Sequence, residues 1–351
     1  MKKLFNTLYV TNKDAYVCKK DDNACVRVDG KDVLRVPLHL LEGIVLFNYA
    51  GASAPLLYAC AARGISVSVL DEKGRFAARV EGPVSGNVLL RKAQYEVAAD
   101  PTRSLVLAKR FMAAKFYNTR AVLLRHKREH PENGDSLSNA IDTFSNGLDA
   151  LGSVASREEL LGVEGGAAHG YFDSFPSLIR DKEVRAEFVG RNRRPPKDPV
   201  NASLSFFYTL TSREIATACE SVGLDPQMGF YHQPRPGRAS LALDVLEEFR
   251  APLIDRFVVA LFNRGQLNKT DFEFDAGGGC FFSDAALKRV LDAWQKRKQE
   301  EIKHPFLDEK VKIGLLPFVQ AQLLSRYLRG DMNDYPAFCG SSVVSVGEIP
   351  A

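Results

Sequence analysis

No two cysteines stand at Cys-x-x-Cys spacing. The six that occur, Cys18, Cys25, Cys60, Cys219, Cys280 and Cys339, are scattered over 351 residues. That excludes a zinc knuckle and argues against a disulfide framework, so the thiols are expected reduced and the protein cytoplasmic. No apolar run is long enough to span a membrane: the most apolar region, 36–62, is broken by His39, Glu42 and Asn48. The N-terminus MKKLFNTLYVTN starts basic, but Asn6 and Thr7 break its apolar run, which makes a poor signal peptide. Neither sign of charge dominates. A net charge of +4 permits a polyanionic partner without requiring one, so nucleic-acid binding needs the cations gathered on one surface. There are no internal repeats and no low-complexity segment.

What is present is an ordinary globular composition, 45% hydrophobic and 26% charged, in a chain long enough for about two domains. Up to about residue 85 the sequence reads as short strands, LFNTLYV, AYVCKK, ACVRVDG, DVLRVPL, GIVLF, ISVSVLD and RFAARVEG. They are rich in β-branched residues and separated by turn-forming clusters. One helix, APLLYACAAR, interrupts them and ends at Gly64, a suitable C-cap. From about residue 88 the period becomes helical. The fold class predicted is α+β: a small N-terminal β-rich domain, 1–87, followed by a larger all-α domain, 88–340. The aperiodic tail 341–351 is expected to be disordered.

Within the helical part, residues 102–130 form one long segment. Phe111, Met112 and Phe116 are available for packing, and Lys109, Arg110, Lys115, Arg120, Arg125, Lys127 and Arg128 are placed outside. So many cations suit either a solvated face or a surface that tracks a phosphate backbone. His126 and His130 read as surface residues. After a break at HPENGDS, Ser156 and Glu159 make a capping box that opens a helix through LLGVEGGAAHGYFDSF. Gly162, Gly165, Gly166 and Gly170 lie inside it. Each costs roughly 1 kcal/mol relative to alanine, which predicts close approach of another helix or of a ligand backbone. Glu164 sits among them with no lysine or arginine at 160, 161, 167 or 168. It is either exposed or paired from afar, and a shared metal would satisfy it. A Pro-stiffened loop then carries Arg191, Arg193, Arg194 and Lys197, ahead of a buried helix capped near Asp198 or Asn201.

The stretch Met228–Pro252 holds the strongest chemical signal. His232 lies in a Pro/Gly-rich loop, and Asp244, Glu247 and Glu248 follow on a helical segment at spacings that share a face, with Leu243 and Leu246 turned to the core. Clustered carboxylates repel, and a divalent cation would remove that repulsion. A solvated acidic helix face would look the same. Further on, Leu287, Val290, Leu291 and the single tryptophan, Trp294, form the buried side of an amphipathic helix over 284–303.

The order LxGVEGxAAxxYF, RxRRPPxDPVNAxLSFxYTL and GFxHxxxxGRxSLALDxxEEFR resembles the CRISPR-associated endonuclease and integrase of spacer acquisition, the first-numbered Cas protein family, and looks most like its type I-C version. The likeness extends to NTLYVT, to NVLLRKAQY, to the helix AKxxNxRxxLxR and to IGLLPFVQAQLLSRYLRGD with Tyr335 beyond it. It implies a metal-dependent DNA endonuclease and integrase that inserts spacer DNA into a CRISPR array by transesterification. The metal, Mg²⁺ or Mn²⁺, would be held by Glu164, His232 and Glu247, with Asp244 supporting the site or binding a second ion. Arg191, Arg193, Arg194 and Arg238 become candidate DNA contacts. The resemblance also implies double-stranded DNA as substrate, a homodimer formed through the β-rich domains, and a heterohexamer with the small second-numbered Cas protein. His169 stands where the family commonly has an arginine. The competing expectations are a metal-dependent repair nuclease acting on branched DNA and a non-catalytic DNA-binding scaffold.

Overall fold

The structure is a computed structural model and describes residues 6–47, 50–71, 76–80 and 87–340. The tail 341–351 lies outside the described residues, as do the first residues of LFNTLYV and both ends of RFAARVEG. The fold is α+β, with an N-terminal β-rich region and a mostly helical remainder.

In the β-rich region, strands β1 (Asn6–Val10), β5 (Leu41–Leu46), β6 (Ser66–Leu70) and β7 (Phe76–Val80) form one sheet in the order β1-β5-β6-β7. A second, antiparallel sheet joins β2 (Tyr16–Lys20), β3 (Asn23–Val28) and β4 (Lys31–Pro37). β5 runs parallel to both of its neighbours and is buried almost continuously, as its LEGIVL sequence suits. β1 buries only Leu8 and Val10, the alternation of a half-covered strand. These residues, with Val17, Val26, Leu56 and Val67, make a separate hydrophobic core. Helix α1 (Ala54–Arg63) starts at Ser53, whose hydroxyl accepts from the Leu56 N–H. It ends at Gly64, whose φ of 67° is the left-handed value glycine tolerates best.

The helical part comprises α2 (Val88–Ala99), α3 (Pro101–Glu129), α4 (Gly134–Ala150), α5 (Arg157–Ser174), α6 (Lys182–Glu187), α7 (Pro199–Ser221), α8 (Ser240–Glu247), α9 (Arg256–Asn263), α10 (Asp284–Gln299) and α11 (Leu316–Leu328). α3 starts sharply because the Asp100 carboxylate caps the Thr102 and Arg103 N–H groups and Pro101 needs no partner for a missing one. Its buried stripe, Leu107, Phe111, Met112, Phe116 and Leu123, packs on α4, α5 and α8. The described residues divide into two compact units, the first drawn from 1–85, 281–300 and 312–315, the second from the rest. α10, which its period along the chain groups with the helical domain, therefore falls in the first unit. Lys298, 3% exposed, puts Nζ 3.3 Å from Thr7 Oγ1 and 3.4 Å from Glu42 Oε1. No helix among the described residues is long and apolar enough to cross a membrane, and all six cysteines are free.

Candidate active site

The loop that carries His232 is folded onto the start of α8 by a single carboxylate. Asp244 Oδ2 accepts from the backbone N–H groups of Phe230 (2.6 Å) and Tyr231 (3.0 Å). Its Oδ1 accepts from the His232 N–H (2.8 Å) and lies 2.8 Å from the ring Nδ1. Gly229 makes the approach possible, since a Cβ there would come within 2.7 Å of the His232 carbonyl oxygen and 2.8 Å of the Ser240 backbone. An ionised carboxylate only accepts, so the Nδ1–H donates to Asp244, and Nε2 faces Glu247 Oε1 at 3.9 Å. Arg157 on α5 donates to the Tyr231 carbonyl (2.8 Å), which ties the loop to the helix bearing Glu164.

The three carboxylates expected on one face point in three directions. Asp244 turns to the loop and Glu247 to a cleft. Glu248 turns away into the core, where it accepts from the Tyr335 hydroxyl (2.5 Å), the Phe338 N–H (2.6 Å) and Gln320 Nε2 (2.8 Å). Glu247 and Glu248 both stand at helical spacing from Asp244, but adjacent residues on a helix lie about 100° apart, so the two diverge; the helix ends there and a π-helical stretch, Arg250–Asp255, follows. Burial raises the Glu248 carboxyl to about 7 against the pull of its three donors. Leu243 and Leu246 both line the cleft, Leu246 fully buried and Leu243 only partly so.

Glu164 is paired from afar, by a lysine. Lys115 Nζ lies 2.5 Å from Glu164 Oε1 and 3.0 Å from Glu247 Oε2. Placed outside by the sequence reading, Lys115 points inward: it follows Met112 by three residues, precedes Thr119 by four, and both are buried. That stripe was the signal for it. Arg250 Nε lies 3.0 Å from Glu247 Oε1, and its guanidinium sits 4.4 Å from the Tyr208 ring centroid. Burial raises the Glu247 carboxyl, but Arg250, Lys115 and His232 together outweigh it and hold the group at about 2. Lys115 is pulled down by burial and held above its ordinary value by Glu247 and Glu164. Of the four glycines in α5, Gly170 lies against α4, where a Cβ would stand 3.8 Å from Thr143 Oγ1, but the three nearest Glu164 do not admit a neighbouring helix. A Cβ at Gly162, Gly165 or Gly166 would meet nothing within 4 Å.

Among the described residues no three His, Cys, Asp or Glu side chains stand in ligand geometry around one point, because Lys115 lies between Glu164 and Glu247. The donor set nevertheless suits a hard or borderline divalent ion: two carboxylates and an imidazole Nε2 oriented by a carboxylate. Glu247 Oε2 is also buried without a hydrogen-bond donor in good geometry, despite the nearby ammonium.

These groups lie in a cleft of about 1120 Å³ whose lining includes nine cations against four carboxylates. Arg193, Arg194 and Arg238 line it, joined by Arg157, Arg213, Arg235 and Arg250, which were not singled out in the sequence. Arg191 differs from its loop neighbours. It donates to Asn201 Oδ1 (2.6 Å) and Ser205 Oγ (3.1 Å), sits over the Tyr208 and Phe172 rings, and burial lowers its pKa. It braces the wall of the cleft. Behind it Asp255 accepts from the Tyr171 (2.8 Å) and Tyr208 (2.5 Å) hydroxyls, and burial raises its carboxyl to about 6 against those bonds. His169 is exposed, 3.3 Å from Asp173.

A helical unit with acidic residues and a histidine at the floor of an arginine-lined cleft defines the class of phosphate-chemistry enzymes. The family model for the CRISPR-associated protein Cas1 matches residues 8–296. The chain is 48% identical to the CRISPR-associated endonuclease Cas1 2 of Rhodospirillum rubrum over 96% of its own length and 98% of that protein. It is 45% identical to the CRISPR-associated endonuclease Cas1 1 of Chlorobaculum tepidum over 96% and 99%. The chain belongs to the Cas1 family. Solved structures with the same fold include a casposase bound to integration product (TM-score 0.82, 22% identity, 98% of this chain and 97% of that one). A Cas1 protein from Thermotoga maritima is another (0.79, 20%, 96% and 100%). A third is a Cas6-RT-Cas1–Cas2 complex (0.82, 23%), where 97% of this chain matches 37% of a longer one.

Proposed function

We propose that the chain is a metal-dependent DNA endonuclease and integrase that inserts spacer DNA into a CRISPR array by transesterification, as the endonuclease names of its relatives support. The observation that carries this reading is the convergence of Glu164, His232 and Glu247, from α5, the 229–232 loop and α8, at the floor of the arginine-lined cleft. These three would hold the ion, Mg²⁺ or Mn²⁺. Once bound, it would activate the attacking hydroxyl or water and neutralise charge at phosphorus. Asp244 would act through His232, holding the ring so that Nε2 faces the carboxylates, rather than binding a second ion. Arg193, Arg194 and Arg238 would grip backbone phosphates, and Arg191 would position the loop that presents them.

By the same reading the DNA is double-stranded, spacer precursor and repeat together. The chain would form a homodimer through its β-rich domain, 1–87, with the helical part, 88–340, catalytic. A Cas6-RT-Cas1–Cas2 complex among the structural neighbours supports the second-numbered Cas protein as partner, in the heterohexamer that the family resemblance implies; the motif spelling supports the type I-C version, and the scattered free cysteines support a cytoplasmic setting. The test is cleavage and strand transfer on labelled branched DNA carrying a repeat end, in Mn²⁺, Mg²⁺ or EDTA, for wild type and His232→Ala. Metal-dependent joining lost in the variant is the expected result; tight DNA binding without chemistry in either metal would overturn it.

A further inference from the structure

The lysine between the two carboxylates has no place in the reading above. Lys115 leaves α3 flanked by Ala114 and Phe116, both fully buried, so its stem is committed to the interior, and the side chain is 14% exposed. Its ammonium meets one oxygen of Glu164 and one of Glu247, carboxylates that come from different helices and would repel without a cation between them. Two cations bracket Glu247, and they are not equivalent. Arg250 is a planar guanidinium stacked on Tyr208, whereas Lys115 is a compact charge on a flexible four-carbon stem. Neither cation meets Glu247 in good hydrogen-bond direction, so the stack on Tyr208 is what distinguishes them. Of the two, the lysine is the one that an incoming ion can displace.

We propose that Lys115 is the resident counter-cation of the catalytic carboxylates: it holds Glu164 and Glu247 together before metal arrives and competes with the metal for them. The proposal rests on Glu164, His232 and Glu247 being the ligands. It makes Lys115 a positioning residue and explains how two acidic groups stay assembled on separate helices without an ion. It also gives the site a threshold, because a monovalent cation gains little over the ammonium already present, whereas a divalent one doubles the charge between the carboxylates.

The experiment is Mn²⁺ binding to the full chain by titration calorimetry, at fixed pH and without DNA, for wild type, Lys115→Met, Glu247→Gln and Arg194→Met. Lys115→Met is expected to bind Mn²⁺ about tenfold more tightly, about 1.4 kcal/mol. Glu247→Gln is expected to bind at least about tenfold more weakly, and Arg194→Met within about twofold of wild type. Weakened binding in Glu247→Gln with unchanged or weaker binding in Lys115→Met would overturn the competition while leaving the ligand assignment standing. Unchanged binding in Glu247→Gln would overturn the assignment and the proposal with it. Equal tightening in Arg194→Met would reduce the effect to the general field of the cleft and overturn the proposal. Amine labelling of the wild-type protein read by mass spectrometry avoids any folding defect of the variant. Modification of Lys115 is expected to rise several-fold on adding Mn²⁺, and a level or reduced signal would overturn the proposal.

Discussion

Asp244 holds His232 twice through one oxygen, at the backbone N–H and at the ring Nδ1, both 2.8 Å from Oδ1. Backbone and ring therefore move together, and the second oxygen pins the two preceding residues. Asp244→Asn replaces an acceptor with a donor facing the Phe230 and Tyr231 N–H groups. Each buried donor left unpaired costs about 1–3 kcal/mol. A lowered Tm together with a loss of cleavage of roughly 10–100-fold is expected. His232→Ala should lose cleavage with little change in Tm. Unchanged stability in Asp244→Asn would mean the loop is held by something else.

Arg191 and Arg193 are two residues apart and should behave differently. Arg191→Ala removes two side-chain hydrogen bonds and the stack on Tyr208 and is expected to destabilise the fold by roughly 1–3 kcal/mol. Arg193 is exposed on the cleft, so Arg193→Ala should leave thermal unfolding unchanged. It should weaken DNA binding and reduce the slope of log affinity against log salt by about one. Denaturation curves and salt-dependent binding, measured on both variants, separate the two roles.

Asp255 sets a pH dependence of stability. Its carboxyl rises from 3.8 to about 6 on burial, so between those values the folded state holds a proton that the unfolded state has released. By linkage, this group's contribution to stability falls as pH climbs from about 4 to about 6, by at most roughly 3 kcal/mol. Urea unfolding of wild type and Asp255→Asn across that range should show the slope in the wild type and its loss in the variant. Parallel curves would assign the dependence elsewhere.

Glu248 is the anchor of the segment that follows α11. Glu248→Ala leaves the Tyr335 hydroxyl, the Phe338 N–H and Gln320 Nε2 without their acceptor, and a cost of roughly 3 kcal/mol or more is expected. Limited proteolysis should release the chain near 335–340 faster than in the wild type. Resistance equal to wild type would show that Asn118, which donates to the Phe338 carbonyl, holds the segment alone.

Much of this was legible in the residues, because the signals were local. Ser53 and Gly64 bound α1, Asp100 and Pro101 start α3, and Asp198 caps α7 where the loop ahead of it predicts. Ser156 also caps α5, although Glu159 reaches back to the Ala155 N–H instead of the cap residue's own. Spacing failed where one stripe borders two surroundings. Glu247 and Glu248 are both at helical spacing from Asp244 but about 100° from each other, so Glu248 looked like a third site carboxylate when its donors, Tyr335, Phe338 and Gln320, make it a core anchor.

The sequence by itself determined the order of elements, the two-part α+β organisation and the residue types with the chemistry of the site, since caps, periods and motif spelling act over a few residues. Only the tertiary structure decided what those residues meet. Glu164 and Lys115 are 49 positions apart and Glu248 and Tyr335 are 87 apart. Whether a charge at such a distance finds its partner depends on how α3, α5 and α8 pack, which is a sum over many weak contacts that no short stretch of the chain contains.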